Sequence, residues 1–197
     1  MEPERQGSQL FETGIFRNEK TAWISLAVYT TLLYSTLTLT YDLYKATFDW
    51  LGKSTISQGI YAIASLIALA LLIFMWLRLP RTPSTYATVG IIGLLIYYAM
   101  SIEDIPANRI HFFQYCPLAI LGMEALRFRV LDRNVYLWTF LLVSLIGVGD
   151  EFLQGLLPDR HFDTKDVVLN SLAGLLALAF VGFAVREENY PWGKRGG

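Results

Sequence analysis

The chain has 197 residues, 54% of them hydrophobic and only 17% charged, with a mean hydropathy of +0.41. A soluble domain carries about 25% charged residues, so the composition points to a membrane protein. A formal net charge of −1 without a basic stripe argues against a nucleic-acid partner. The single cysteine, Cys116, excludes an intramolecular disulfide and reads as a small core residue.

Residues 1–21 mix acidic and basic side chains and lack the apolar stretch of a cleavable signal peptide, so none is expected. A bilayer core of about 30 Å takes roughly 20 mostly apolar helical residues. Six stretches qualify as spans: about 22–41, rich in Thr and Tyr, then 60–77, 86–101, 110–126, 135–153 and 167–185. Pro80 and Pro83 separate the second from the third, and "EDIP" precedes the fourth. The expected fold is all-α, a polytopic membrane bundle of about six helices. Its parts are an N-terminal segment (1–21), three membrane helices with loops (22–107), a core of three more (108–186) and a C-terminal tail (187–197).

Lysine and arginine set the orientation. With six spans both termini share one side. That side carries Arg5, Arg17, Lys20, Arg78, Arg81, Arg127, Arg129, Arg133, Arg186, Lys194 and Arg195, eleven in all, against five opposite: Lys45, Lys53, Arg109, Arg160 and Lys165. The bias assigns both termini to the cytoplasm of a multi-pass protein in the cell membrane. The loops before His111 and from Pro158 to Lys165 then face outward.

The polar residues gather at that outer end. At about 100° per residue, Asp150, Glu151 and Gln154 fall within one arc of the fifth span. His111 and Tyr115 share a face of the fourth, and Asp166 and Asn170 share a face of the sixth, continued by Gly174. An ionised carboxylate in a span costs about 2.5–3.5 kcal/mol on insertion scales. These stripes should therefore turn inward, and Gly147, Gly149, Gly155 and Gly174 would let the helices approach there.

Simpler roles compete. Asp163 with Asp166 has the layout of a helix cap with an acidic third residue, and for Asp163 the cap is the favoured reading. Asp159 suits a solvated turn beside Pro158. Arg160 is equally suited to pairing a nearby carboxylate and to gripping a carboxylate or phosphate ligand. His161 reads as solvent-exposed, and Glu103, Asp104 and Arg109 as a polar loop, although Arg109 also lies close enough in sequence to His111 to join a site. Asp150 and Glu151, adjacent and backed by Gln154, favour a functional or network role.

The stretch "DEFLQGLLPDRHFDTKDVVLN" resembles the VanZ-like membrane family. The matching positions are Asp150, Glu151, Gln154, Pro158, Arg160, Asp163, Asp166 and Asn170. "NRIHFFQYCPLAILG" is similar to the family's Arg-(Ile/Leu)-His-Phe element, carried here by Arg109, His111, Phe112 and Tyr115. The resemblance covers about residues 109–180. The chain departs from it at Gln114, where an acidic residue is common, and at Asp159, where Gly is common. The resemblance implies an integral membrane protein of a family associated with resistance to the glycopeptide antibiotic teicoplanin.

Three functions stay open. In the first, Arg109, His111, Tyr115, Asp150, Glu151, Gln154, Arg160, Asp163, Asp166 and Asn170 line a site for a cell-envelope component or lipid head group. In the second, Asp150, Glu151 and His111 are the acid–base groups of an intramembrane enzyme. In the third, the cluster only locks helices together. No HExxH, GxSxG or Walker loop is present. A divalent metal held by Asp150, Glu151, Asp166 and His111 is conceivable, since carboxylate and imidazole are suitable ligands, but their spacing is no known metal signature, so neither a metal nor another cofactor is expected.

Overall fold

The computed structural model describes residues 14–78, 83–101, 106–157 and 160–184. Among the described residues the fold is all-α, with six α-helices and no strand. They are α1 (Glu19–Ser35), α2 (Leu37–Arg78), α3 (Pro83–Ser101), α4 (Ile110–Leu126), α5 (Asn134–Gly155) and α6 (Thr164–Ala184), with a short 3-10 helix, Pro106–Arg109, leading into α4.

Local chemistry sets several boundaries. Asn18 caps α1, its side-chain oxygen accepting from Thr21 N at 2.8 Å. Pro83 is the first residue of α3, where a missing N–H is harmless and the fixed φ helps. Pro80, Glu103, Asp104, Pro158 and Asp159 lie outside the described residues, as do Arg5, Arg81, Arg186, Lys194 and Arg195 from the charge count.

The N-terminal part departs from expectation. The first helix ends at Ser35, and the stretch expected to be a loop between the first two spans is helical. Helix α2 runs 42 residues and is interrupted at Gly52, with φ 76° and ψ 161°. No proline lies between Leu37 and Arg78 to stop the helix, and only glycine adopts that positive φ without steric cost. The last three helices match their expected spans within a few residues.

Helix α4 is the centre of the bundle. It packs against α6, α5 and α1, while α6 also contacts α5 and α3. Phe112, Leu118, Ala119 and Met123 of α4 are buried with Val143 of α5 and with Ala173, Ala177 and Val181 of α6. A Cβ on Gly174 would lie 2.7 Å from Val143 Cγ1, so this glycine sets how closely α5 and α6 approach. Helix α5 is inverted relative to a soluble helix. Leu137, Trp138, Leu141, Leu145, Val148 and Phe152 are exposed along one side, whereas Asp150, Glu151 and Gln154 are buried on the other. A continuous apolar stripe on the outside marks contact with lipid or a partner. Among the described residues two helices are long and apolar enough to cross a membrane, Asn134–Gly155 and Thr164–Gly182, and Tyr86–Ser101 and Ile110–Leu126 are shorter apolar helices.

The far end of α4 holds a buried ion pair. Arg127 Nε donates to Glu124 Oε2 at 3.1 Å, and both side chains are almost fully excluded from solvent. The same carboxylate oxygen accepts from the backbone N–H of Ile15 at 2.9 Å and of Phe16 at 3.3 Å. Arg127 Nη2 donates to the Phe16 carbonyl at 2.7 Å and the guanidinium lies over the Phe128 ring. The segment entering α1 is thereby held by its main chain.

Overpacking the α5–α6 contact should be costly. We expect Gly174→Leu to destabilise the protein by about 1–3 kcal/mol, seen as a lower unfolding temperature in detergent, with partial recovery in Gly174→Leu/Val143→Ala.

Candidate functional site

The site forms where the start of α4, the end of α5 and the start of α6 meet. One full helical turn separates His111 from Tyr115 on α4 and Asp166 from Asn170 on α6, so each pair shares a face. Asp150, Glu151 and Gln154 turn the last two turns of α5 toward them. All seven side chains are buried, with Tyr115, Glu151 and Asn170 fully so.

Hydrogen bonds tie the three helices. Tyr115 Oη donates to Asp150 Oδ2 at 3.0 Å. Gln154 Nε2 donates to Glu151 Oε1 at 3.1 Å, and Arg160 Nη2 donates to Gln154 Oε1. Glu151 Oε2 accepts from the backbone N–H of Asp163 at 3.3 Å. Asp163 in turn caps α6, accepting at Oδ1 from Lys165 N at 2.8 Å. The cap residue's own N–H is thus held by Glu151 of the preceding helix, whereas Asp166 faces elsewhere: its Oδ1 accepts from Asn108 Nδ2 at 2.9 Å and its Oδ2 lies 3.9 Å from His111 Nε2. The rings of His111 and Tyr115 are tilted at 49° with centroids 6.1 Å apart.

Some buried polar atoms are left over. Both side-chain amide atoms of Asn170 and Nδ1 of His111 are buried without a hydrogen-bond partner. Leaving such a group unsatisfied costs about 1–3 kcal/mol, so native structures rarely do so without a ligand or water.

Of the ten residues singled out in the sequence, nine line this cluster or its rim. Arg160 and Asp163 are the half-buried rim, and the neighbouring His161 is exposed. Arg109 also reaches toward α2. Its guanidinium donates to Ser57 Oγ and lies 4.9 Å from the centroid of the Tyr61 ring, so it joins the 3-10 helix to α2. The physical reason is its place just before α4, one residue out of phase with the inward face. A cavity of about 510 Å³ opens beside it, lined by Lys53, Ser54, Ser57, Gln58 and Tyr61.

Sequence reasoning missed two contributors. Asn108 holds Asp166, and Tyr34 at the end of α1 donates to the Ile146 carbonyl at 2.8 Å, closing the side of the cluster near Gly149. Asn108 precedes the Arg-Ile-His element, a signal that was available. Tyr34 is one of several tyrosines in an apolar helix and carried none.

The Tyr115–Asp150 bond crosses between helices, so its removal should be felt. We expect Tyr115→Phe to lower stability by about 1–3 kcal/mol in a detergent thermal melt. Tyr115→Phe combined with Asp150→Asn should cost less than the sum of the two, and strict additivity would mean that the bond is absent in solution.

No curated protein and no solved structure matches the chain significantly. The model of one protein family, VanZ/LLP1, matches residues 15–185. That match runs from the clasped segment before α1 to the end of α6, well beyond the two motif-bearing elements. The inverted helix α5, the apolar neighbouring helices and this match agree, and the chain belongs to the VanZ/LLP1 family of membrane proteins.

Proposed function

We propose that this protein crosses the bacterial cytoplasmic membrane six times, with both termini in the cytoplasm, and uses the outward-facing cluster to bind the polar head group of a cell-envelope component. Residues 108–186 supply the binding half and residues 22–107 support it. The observation that carries this reading is the inversion of α5, with carboxylates and Gln154 inside and an apolar stripe outside. Buried polar groups of this kind are expensive in a membrane protein and mark functional sites by default. Arg160 on the rim offers a guanidinium suited to a phosphate or carboxylate. The excess of Lys and Arg on the opposite side supports the orientation.

A second reading, acid–base chemistry within the membrane, draws on the fully buried Glu151 and on the Asp150–Tyr115 hydrogen bond. Tolerance to teicoplanin-type glycopeptides is the phenotype that the family suggests for either reading.

Topology is checked by replacing Cys116 with Ala and introducing His161→Cys. A membrane-impermeant maleimide should label this cysteine in intact cells, and labelling only after the cytoplasm is opened would reverse the orientation. For binding, the purified protein is titrated with lipid-linked envelope precursors. We expect saturable binding weakened about tenfold or more by Arg160→Ala, the loss of a charge-assisted hydrogen bond. In a deletion strain challenged with teicoplanin and other envelope-targeting agents, Glu151→Gln should fail to complement. Full complementation by a variant of reduced stability would leave the cluster a purely structural lock. Turnover of the bound precursor would favour the enzyme.

A further inference from the structure

One part of the cluster has the makings of a metal site. His111 of α4, Glu151 of α5 and Asp166 of α6 each present a ligand atom, and these atoms lie within 4.8 Å of one another. All three residues are buried. Among the described residues no other group of His, Cys, Asp and Glu converges in this way. We propose that these three side chains bind a divalent first-row transition-metal ion.

Four observations carry it. First, the donor set is right. One imidazole with two carboxylates is a familiar set for zinc(II), manganese(II) or iron(II), while calcium needs more oxygens. Second, the imidazole is unengaged: Nδ1 is buried without a hydrogen-bond partner, and Nε2 lies 3.9 Å from Asp166 Oδ2, too far for a hydrogen bond. A histidine more than nine-tenths buried, with one nitrogen aimed at a carboxylate it does not reach, leaves room for an atom between them.

Third, the carboxylates are already oriented from behind. Glu151 accepts from Gln154 Nε2 and Asp163 N, and Asp166 accepts from Asn108 Nδ2. Such supporting hydrogen bonds are the usual outer shell of a metal centre, and a carboxylate has two oxygens with which to accept them and bind an ion. Fourth, carboxylates converge: Asp150 and Asp166 both act electrostatically on Glu151, with the Arg160 guanidinium opposing them, so the cluster favours a cation.

In a tetrahedral site, ligand atoms about 2.1 Å from the ion lie roughly 3.4 Å apart, so the widest separation here must close by up to about 1.4 Å, by rotation of the Glu151, Asp166 and His111 side chains. Three protein ligands leave at least one coordination position unfilled, and a phosphate or carboxylate head group has the oxygen donors to take it. This last step rests on the head-group reading above, but the metal site does not.

The test is made on the full-length protein purified in detergent without any envelope ligand, so that its failure leaves the binding titration untouched. Elemental analysis after purification from metal-supplemented medium should give about one equivalent of zinc, manganese or iron per chain, matching a single three-ligand centre. Cobalt(II) added to chelator-treated protein should develop visible d–d bands, and the ion should raise the unfolding temperature. His111→Gln and Asp166→Asn should each lose at least tenfold in cobalt affinity and abolish the thermal shift. If either variant fails to fold, Glu151→Gln and competition by a chelator on the wild type give the same readout. Folded wild-type protein with only trace metal and no cobalt spectrum would overturn the proposal. An unchanged spectrum in folded His111→Gln and Asp166→Asn would also overturn it.

Discussion

The bundle depends on where its buried carboxylates can be tolerated. Asp150, Glu151 and Asp166 sit at the meeting point of three largely apolar helices, and an uncompensated buried charge costs several kcal/mol. Every nearby feature answers that constraint. Tyr115 reaches across from α4 to Asp150, Gln154 reaches back one turn to Glu151, the first N–H before α6 closes on Glu151, and Asn108 is brought by the 3-10 helix to Asp166. Removing the carboxylates would take away the side-chain hydrogen bonds that join the end of α5 to α4 and to the start of α6.

The two ends of α4 use buried charge differently. At the Glu124–Arg127 end the two charges pair directly and the main chain of residues 15 and 16 takes further hydrogen bonds, with Arg127 Nη1 left over. At the His111 end the charges are shared among three helices, and both Asn170 amide atoms, Asp150 Oδ1 and His111 Nδ1 are left over. One end of α4 thus fastens the chain's own backbone, whereas the other joins side chains from separate helices.

Much of this was legible in the sequence. The spans from residue 110 onward were readable because each is an apolar block bounded by charged or turn residues. The cluster was readable because residues one or four apart on a helix share a face, so Asp150, Glu151, Gln154, Asp166 and Asn170 could be aligned without coordinates. The span at 60–77 was legible, but the first part of α2 was not, since its first fifteen residues mix polar and aromatic side chains and carry no apolar block; Gly52 interrupts the helix between the two parts. Tyr34 and the reach of Arg109 toward α2 depend on how helices distant in sequence pack, which no local periodicity encodes. That His111, Glu151 and Asp166 share one end of the bundle was readable from their helix faces, but three helices contribute one ligand each, so no short spacing marks them as a metal set.

The clasp at Gly14 has a consequence for biosynthesis. The carboxylate that holds Ile15 is made 109 residues later in the chain. During synthesis the first segment therefore stays unclasped while α1, α2 and α3 are made, and it locks only when α4 has arrived with Glu124 and Arg127. Because the grip is on backbone atoms, the side chain of Ile15 is left exposed and free to vary, whereas a Cβ at Gly14 would stand 2.1 Å from Arg127 Nη2. A segment that precedes α1 is thus fastened only once the fourth helix is in place.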